Sequence, residues 1–197
     1  MNLPFSLHPA ALIVAICAIA IVLFFAFGRK IVGAENNGET VNLVVGNDAP
    51  EFTLPNAQGK MISLDQFKGK KVVIYFYPKD NTPGCTIENK NFSALMEDFA
   101  KQNTVLLGIS RDTAESHAKF ESGSELKVEL LSDVDGSVSR KYGVIKGVLG
   151  EFGVISRTTF VVNEKGVIIK VYNDVNVIGH AANVLDFVSS HEAALKA

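Results

Sequence analysis

The sequence predicts an α/β domain, a mixed central sheet flanked by helices, preceded by one N-terminal transmembrane helix. Three observations lead there. Residues 10–27 form an unbroken run of 18 apolar side chains, and no Asp, Glu, Lys or Arg occurs before Arg29. Beyond it, residues 71–77 and 105–110 are short apolar, β-branched and aromatic runs of the kind that form strands buried on both faces, each followed by helical spacing. The chain closes on a hairpin pattern and a helix, so the sheet mixes parallel and antiparallel strands.

Taken in order, residues 1–9 are a tail and 10–28 the transmembrane helix. An 18-residue helix spans about 27 Å, close to the hydrocarbon thickness of a bilayer. A cleaved signal peptide is the competing reading, with Val32-Gly33-Ala34 as small residues at a cleavage site. The tail carries no basic residue, however, and the apolar run exceeds a signal core. Arg29-Lys30 directly follows the helix, which puts the C-terminal domain on the cytoplasmic side. Cys17 lies mid-helix, where a thiol behaves as a small apolar group. Residues 29–40 are a polar, turn-rich linker, and 41–197 form one domain.

In that domain, residues 51–55 and 60–63 read as a hairpin around Asn56-Ala57-Gln58-Gly59, with a helical turn at 64–67. Strand 71–77 ends at Pro78. Residues 83–101 carry Ile87, Leu95, Met96 and Phe99 at helical spacing. Strand 105–110 precedes a helix at 112–121 capped by Asp112. A short strand at 130–132 leads to a helix at 137–142. Residues 158–163 and 167–172 flank Glu164-Lys165-Gly166 as a second hairpin, and 181–196 is the closing helix.

Composition removes several functions. Two cysteines in 197 residues exclude a disulfide scaffold and the usual structural zinc sites. A net charge of −2, with 47% apolar residues and no basic stripe, gives nucleic acid nothing to bind. Gly147, Gly150 and Gly153 have the wrong spacing for a dinucleotide loop and read as an ordinary loop. Asp133-x-Asp135-Gly136 starts like a calcium loop but has Val138 at the sixth position, so it reads as a turn or helix cap. His8, His117, His180 and His191 show no metal spacing and are expected in surface or capping roles.

Chemistry concentrates in Tyr77-Pro78-Lys79-Asp80-Asn81-Thr82-Pro83-Gly84-Cys85-Thr86-Ile87-Glu88. It places the domain's only cysteine at a strand-to-helix junction, the sheet edge where α/β proteins carry their sites. Thr82 suits an N-cap and Pro83 the first helical position, so Cys85 falls in the first turn. The unpaired N–H groups and dipole of that turn favour a thiolate, which is a nucleophile at neutral pH.

Pro78, Thr82 and Cys85 match the P-x-x-x-T-x-x-C motif of the peroxiredoxins. Tyr75-Phe76-Tyr77-Pro78-Lys79-Asp80, Ala49-Pro50-Glu51-Phe52, Leu131-Ser132-Asp133, Tyr142-Gly143-Val144, Arg157-Thr158-Thr159-Phe160 and Gly179-His180-Ala181 resemble the bacterioferritin comigratory protein (PrxQ) branch, over residues 41–187. The resemblance implies a thioredoxin-like fold and reduction of hydrogen peroxide or organic hydroperoxides. By position, Cys85 resembles the peroxidatic cysteine, which attacks the O–O bond and becomes a sulfenic acid. Thr82 would hydrogen-bond the peroxide, Pro78 would shield the sulfur from water, and Arg157 would hold the thiolate and the developing charge. Glu88 is similar to the family acid that orients the arginine. The resemblance implies no cofactor or metal; the partners are a peroxide and a thiol reductant, thioredoxin or a low-molecular-weight thiol.

One position departs from the branch. Many members carry a resolving cysteine five residues after the peroxidatic one, where this chain has Lys90. One-cysteine behaviour with an external thiol follows. Two other readings compete: a membrane-tethered thiol-disulfide oxidoreductase, whose Cys-x-x-Cys is broken by Glu88, and a tethered binding or chaperone module without activity.

Overall fold

The computed structural model describes residues 42–146 and 153–196, with side chains as far as 191. The expected tail, transmembrane helix and linker, with His8 and Cys17, lie outside the described residues, as do Gly147 and Gly150. Among those described, no helix is long and apolar enough to cross a membrane.

The central sheet holds five strands, β3 (Lys71–Phe76), β4 (Thr104–Ser110), β5 (Glu129–Ser132), β8 (Thr158–Val162) and β9 (Ile168–Tyr172). Their order is β5-β4-β3-β8-β9. β3, β4 and β5 run parallel, whereas β8 is antiparallel to β3 and β9 antiparallel to β8, which makes the sheet mixed as expected. Two small antiparallel pairs stand apart: β1 (Thr53–Pro55) with β2 (Met61–Ser63), and β6 (Ile145–Lys146) with β7 (Val154–Ile155). A 3-10 turn, Leu64–Phe67, follows β2.

β3 is buried along its whole length, so its period-2 alternation sends side chains into two cores. Val72, Ile74 and Phe76 join Leu54, Ile62, Leu107, Ile109 and Phe160. Val73, Tyr75 and Tyr77 face a second core under α1 (Pro83–Ala94), α2 (Met96–Lys101), α3 (Ala114–Ser124) and α5 (His180–Lys196). The remaining helix, α4 (Ser137–Lys141), follows β5 and sends Val138 into the first core.

The structure departs from two expectations and adds one feature. The single helix over 83–101 is two, redirected at Leu95, whose N–H bonds to the Phe92 carbonyl at 3.2 Å. The apolar rhythm continues across the break because Phe92 and Phe99 reach the same core, so periodicity does not reveal it. Asp112 does not cap α3. Thr113 does, its hydroxyl accepting from Ser116 N at 3.2 Å, while Asp112 is drawn away by the Ser110 hydroxyl and the Asp80 N–H. The pairing of β6 with β7 was not expected. Asp133 does cap a helix, accepting from the backbone of Val138 and Ser139 at 3.1 and 2.7 Å.

Candidate active site

β3, the central strand, delivers the chain to the C-terminal end of the parallel strands, Pro78 follows it, and residues 78–82 turn the chain into α1. Thr82 holds the N-cap position with extended backbone and Pro83 starts the helix. Cys85 therefore occupies the first helical turn, and its side chain is buried. A side-chain relay fixes that turn from below. Tyr75 Oη donates to Asn89 Oδ1 at 2.7 Å, and Asn89 Nδ2 donates to the Cys85 carbonyl at 2.9 Å.

The antiparallel register of β3 and β8 pairs Phe76 with Thr158. Arg157, the residue before β8, consequently lies at the same end of the sheet as the turn into α1, though 72 residues separate it from Cys85. Its guanidinium bridges two groups: Nη2 donates to Cys85 Sγ at 3.3 Å, and Nη1 is paired with Glu88 Oε2. Glu88 sits one turn beyond Cys85 on the buried face of α1.

Burial pushes the Glu88 carboxyl up to about 7 against the pull of Arg157. Burial alone would lower Arg157, but the Glu88 charge and the contact with Cys85 hold it above its ordinary value. The guanidinium is a fixed cation beside the sulfur, aimed where negative charge develops in a nucleophilic displacement.

The other expected site residues are nearby without touching Cys85 through a hydrogen bond. Pro78 and Thr82 are half-buried in the turn. Thr82 does not use its hydroxyl as a helix cap; Oγ1 donates to the Lys79 carbonyl at 3.0 Å. That donation leaves the lone pairs of Oγ1 free to accept from a bound hydroxyl. Lys90 is exposed, and Cys85 is the only cysteine among the described residues.

Two histidines expected in surface or capping roles are buried instead. His117 hydrogen-bonds Asp80, and His180 Nε2 is 2.8 Å from Thr159 Oγ1. Burial lowers His180 to about 4, with Arg157 adding to the effect. Tyr75 and Asp80 stand inside the quoted motifs without a role of their own, and nothing in the sequence marks Asn89; the available signal for His117 is its spacing to Phe120, which shares the inward face of α3. No group of three His, Cys, Asp or Glu side chains among the described residues is placed to hold a metal ion.

Residues 45–171 match the AhpC/TSA family. The peroxiredoxin Bcp of Bacillus subtilis is 36% identical over 148 residues, 74% of this chain and 94% of that one. The chain belongs to the AhpC/TSA family, in its peroxiredoxin Bcp/PrxQ branch. It is a thiol-dependent peroxidase with a thioredoxin-like fold. A bcp-type relative from Coxiella burnetii is 46% identical over 148 residues, 74% of this chain and 98% of its own length. Among solved structures, the bacterioferritin comigratory protein of Xanthomonas campestris, studied for alkyl peroxide reduction, has a TM-score of 0.68 and 36% identity. The likeness covers 72% of this peroxiredoxin and 92% of that chain.

Proposed function

We propose that Cys85 is the peroxidatic residue of a one-cysteine enzyme that reduces hydrogen peroxide and organic hydroperoxides at the expense of an external thiol. The observation that carries this is the Arg157 bridge, Nη2 on Cys85 Sγ at 3.3 Å and Nη1 on Glu88. The Cys85 thiolate attacks the terminal oxygen of the hydroperoxide; the S–O bond forms as the O–O bond breaks, and the alkoxide leaves and takes a proton from solvent. Arg157 stabilises the charge on sulfur before the displacement and on oxygen during it. Thr82 accepts the hydrogen bond of the hydroperoxide, Pro78 keeps water from the sulfur, and Glu88 orients Arg157. An incoming thiol condenses with the sulfenic acid, releasing water. A second thiol reduces the mixed disulfide and restores Cys85.

The absence of a resolving partner rests on Lys90 at the usual position and on Cys85 being the only cysteine among the described residues. Alkyl hydroperoxides are included because the X. campestris relative was studied for that activity. The reductant is thioredoxin or a small thiol. Residues 10–28 tether the enzyme by a single membrane pass, the domain from 41 onward facing the cytoplasm, on the support of hydropathy and Arg29-Lys30 alone.

The purified full chain should consume peroxide with dithiothreitol and lose turnover in Cys85→Ser; retained turnover in that variant would refute the assignment. After peroxide, mass spectrometry should find a dimedone adduct at Cys85 and no disulfide within the chain. Membranes extracted with alkaline carbonate should retain the full chain and release one lacking residues 10–28.

A further inference from the structure

We propose that His117, acting through Asp80, is a positioning residue of the peroxidase reaction: it holds in place the turn that carries Pro78 and Thr82. This inference rests on the roles proposed above for those two residues. Asp80 is midway between them, two residues from each, and its side chain is buried against Tyr77, Ser116 and His117.

Every polar atom of Asp80 that the turn can offer inward is taken. Oδ1 accepts from Tyr77 Oη at 2.8 Å, at the end of β3. Oδ2 accepts from Ser116 Oγ at 2.7 Å and lies 2.9 Å from His117 Nδ1, both on α3. The Asp80 N–H donates to Asp112 Oδ2 at 2.9 Å, in the segment joining β4 to α3. Two elements thus converge on the Asp80 carboxylate, and a third holds the backbone N–H of the same residue.

His117 is fully buried and Asp80 is 5% exposed, so these contacts are shielded from bulk solvent. Because both Asp80 oxygens are acceptors, Nδ1 is the ring nitrogen that carries the hydrogen. Nε2 is buried and has no partner among the described residues. A histidine kept there only for packing has no reason to bury a polar atom unpaired, whereas one kept for its Nδ1–H does. Burial works against the Asp80 charge, yet the hydrogen bonds from His117, Ser116 and Tyr77 more than offset it and hold its carboxyl below the usual range. Charge-assisted bonds to a buried carboxylate are strong and directional, which suits an anchor for a turn whose two outer residues must meet a small substrate.

The geometry sets a test by nitrogen position. In full-length protein, the second-order rate of Cys85 oxidation by hydrogen peroxide should fall about ten-fold or more in His117→Leu and His117→Gln, since neither places a donor where Nδ1 stood. His117→Asn, whose amide nitrogen falls near Nδ1, should recover to within about three-fold of wild type. Ser116→Ala, a milder loss from the same carboxylate, should give a smaller fall in the same direction. Alkylation of Cys85 by iodoacetamide, which needs no peroxide cradle, should hold steady or quicken as the turn loosens.

The inference is overturned if peroxide rates are unchanged in His117→Gln and Ser116→Ala, or if His117→Asn is no better than His117→Gln. It is equally overturned if peroxide and iodoacetamide rates fall together, which marks general collapse of the site. Peroxide turnover with dithiothreitol retained by Cys85→Ser would instead strike the reading on which the inference rests.

Discussion

Arg157 does two jobs with one planar group, and only a guanidinium can. Its two terminal nitrogens reach Cys85 and Glu88 at once, whereas a lysine ammonium is a single point charge that must choose between them. Arg157→Lys should therefore lower the rate of Cys85 oxidation by about 10²-fold, the order lost when one preorganised donor to a developing anion is removed. Stopped-flow oxidation under excess peroxide checks this, and a rate within three-fold of wild type would show that the cation alone suffices. Cys85 was legible in the sequence because Pro78, Pro83 and Gly84 punctuate a strand-to-helix junction around it. Arg157 was not legible from its own surroundings: a basic residue at a strand start looks like any surface charge, and only the resemblance picked it out. The burial of His117 and His180 is hidden from the sequence for a related reason. A single sequence does not show which polar partners the fold will bring to a buried histidine, and Asp80 and Thr159 are 37 and 21 residues away.

At the scale of elements, the pairing of β3 with β4 places Gly108 opposite Tyr75. A Cβ there would lie 2.6 Å from Tyr75 Oη and 2.8 Å from Leu130 Cδ2, so one of these fully buried side chains must shift. Gly108→Ala should cost about 1–3 kcal/mol by overpacking, read as a lower midpoint in urea. It should also slow Cys85 oxidation, because the displaced hydroxyl belongs to the relay from Tyr75 through Asn89 to the Cys85 carbonyl. A loss of stability with no change in oxidation rate would show that the relay does not govern the site. Nothing in the local sequence marks Gly108, which sits in a strand between apolar residues; only the cross-strand neighbour explains it. The strands themselves were legible almost to the residue, since β3 and β4 are built around runs of apolar side chains and turn residues flank the hairpins. What escaped were features set by packing: the break at Leu95, the cap at Thr113 in place of Asp112, and the β6–β7 pair, each strand of which is two residues long.

Across the whole molecule, the ionisations of Glu88 and His180 oppose one another around the same arginine. Glu88 is raised from 4.5 to about 7 in the folded protein. Between those values the folded state holds a proton that the unfolded chain has lost, so this contribution is present at low pH and is lost as pH rises through the window. His180 is lowered from 6.5 to about 4. There the unfolded chain holds the extra proton, so its contribution is present above about 6.5 and is lost as pH falls. Over the shared interval the two slopes have opposite sign and offset each other. Relative to wild type, Glu88→Gln should lose stability as pH is taken from 6.5 to 4.5, on the order of 1 kcal/mol per pH unit. His180→Gln should change in the opposite direction over the same interval. Comparing each variant with wild type at matched pH cancels the carboxylates common to both, including Glu121, which burial also raises. Urea denaturation at pH 4.5, 5.5 and 6.5 measures both differences. Parallel curves for Glu88→Gln and wild type would mean that Glu88 is already ionised throughout, its charge fully met by Arg157, and the active site would then hold a permanent ion pair beside the sulfur.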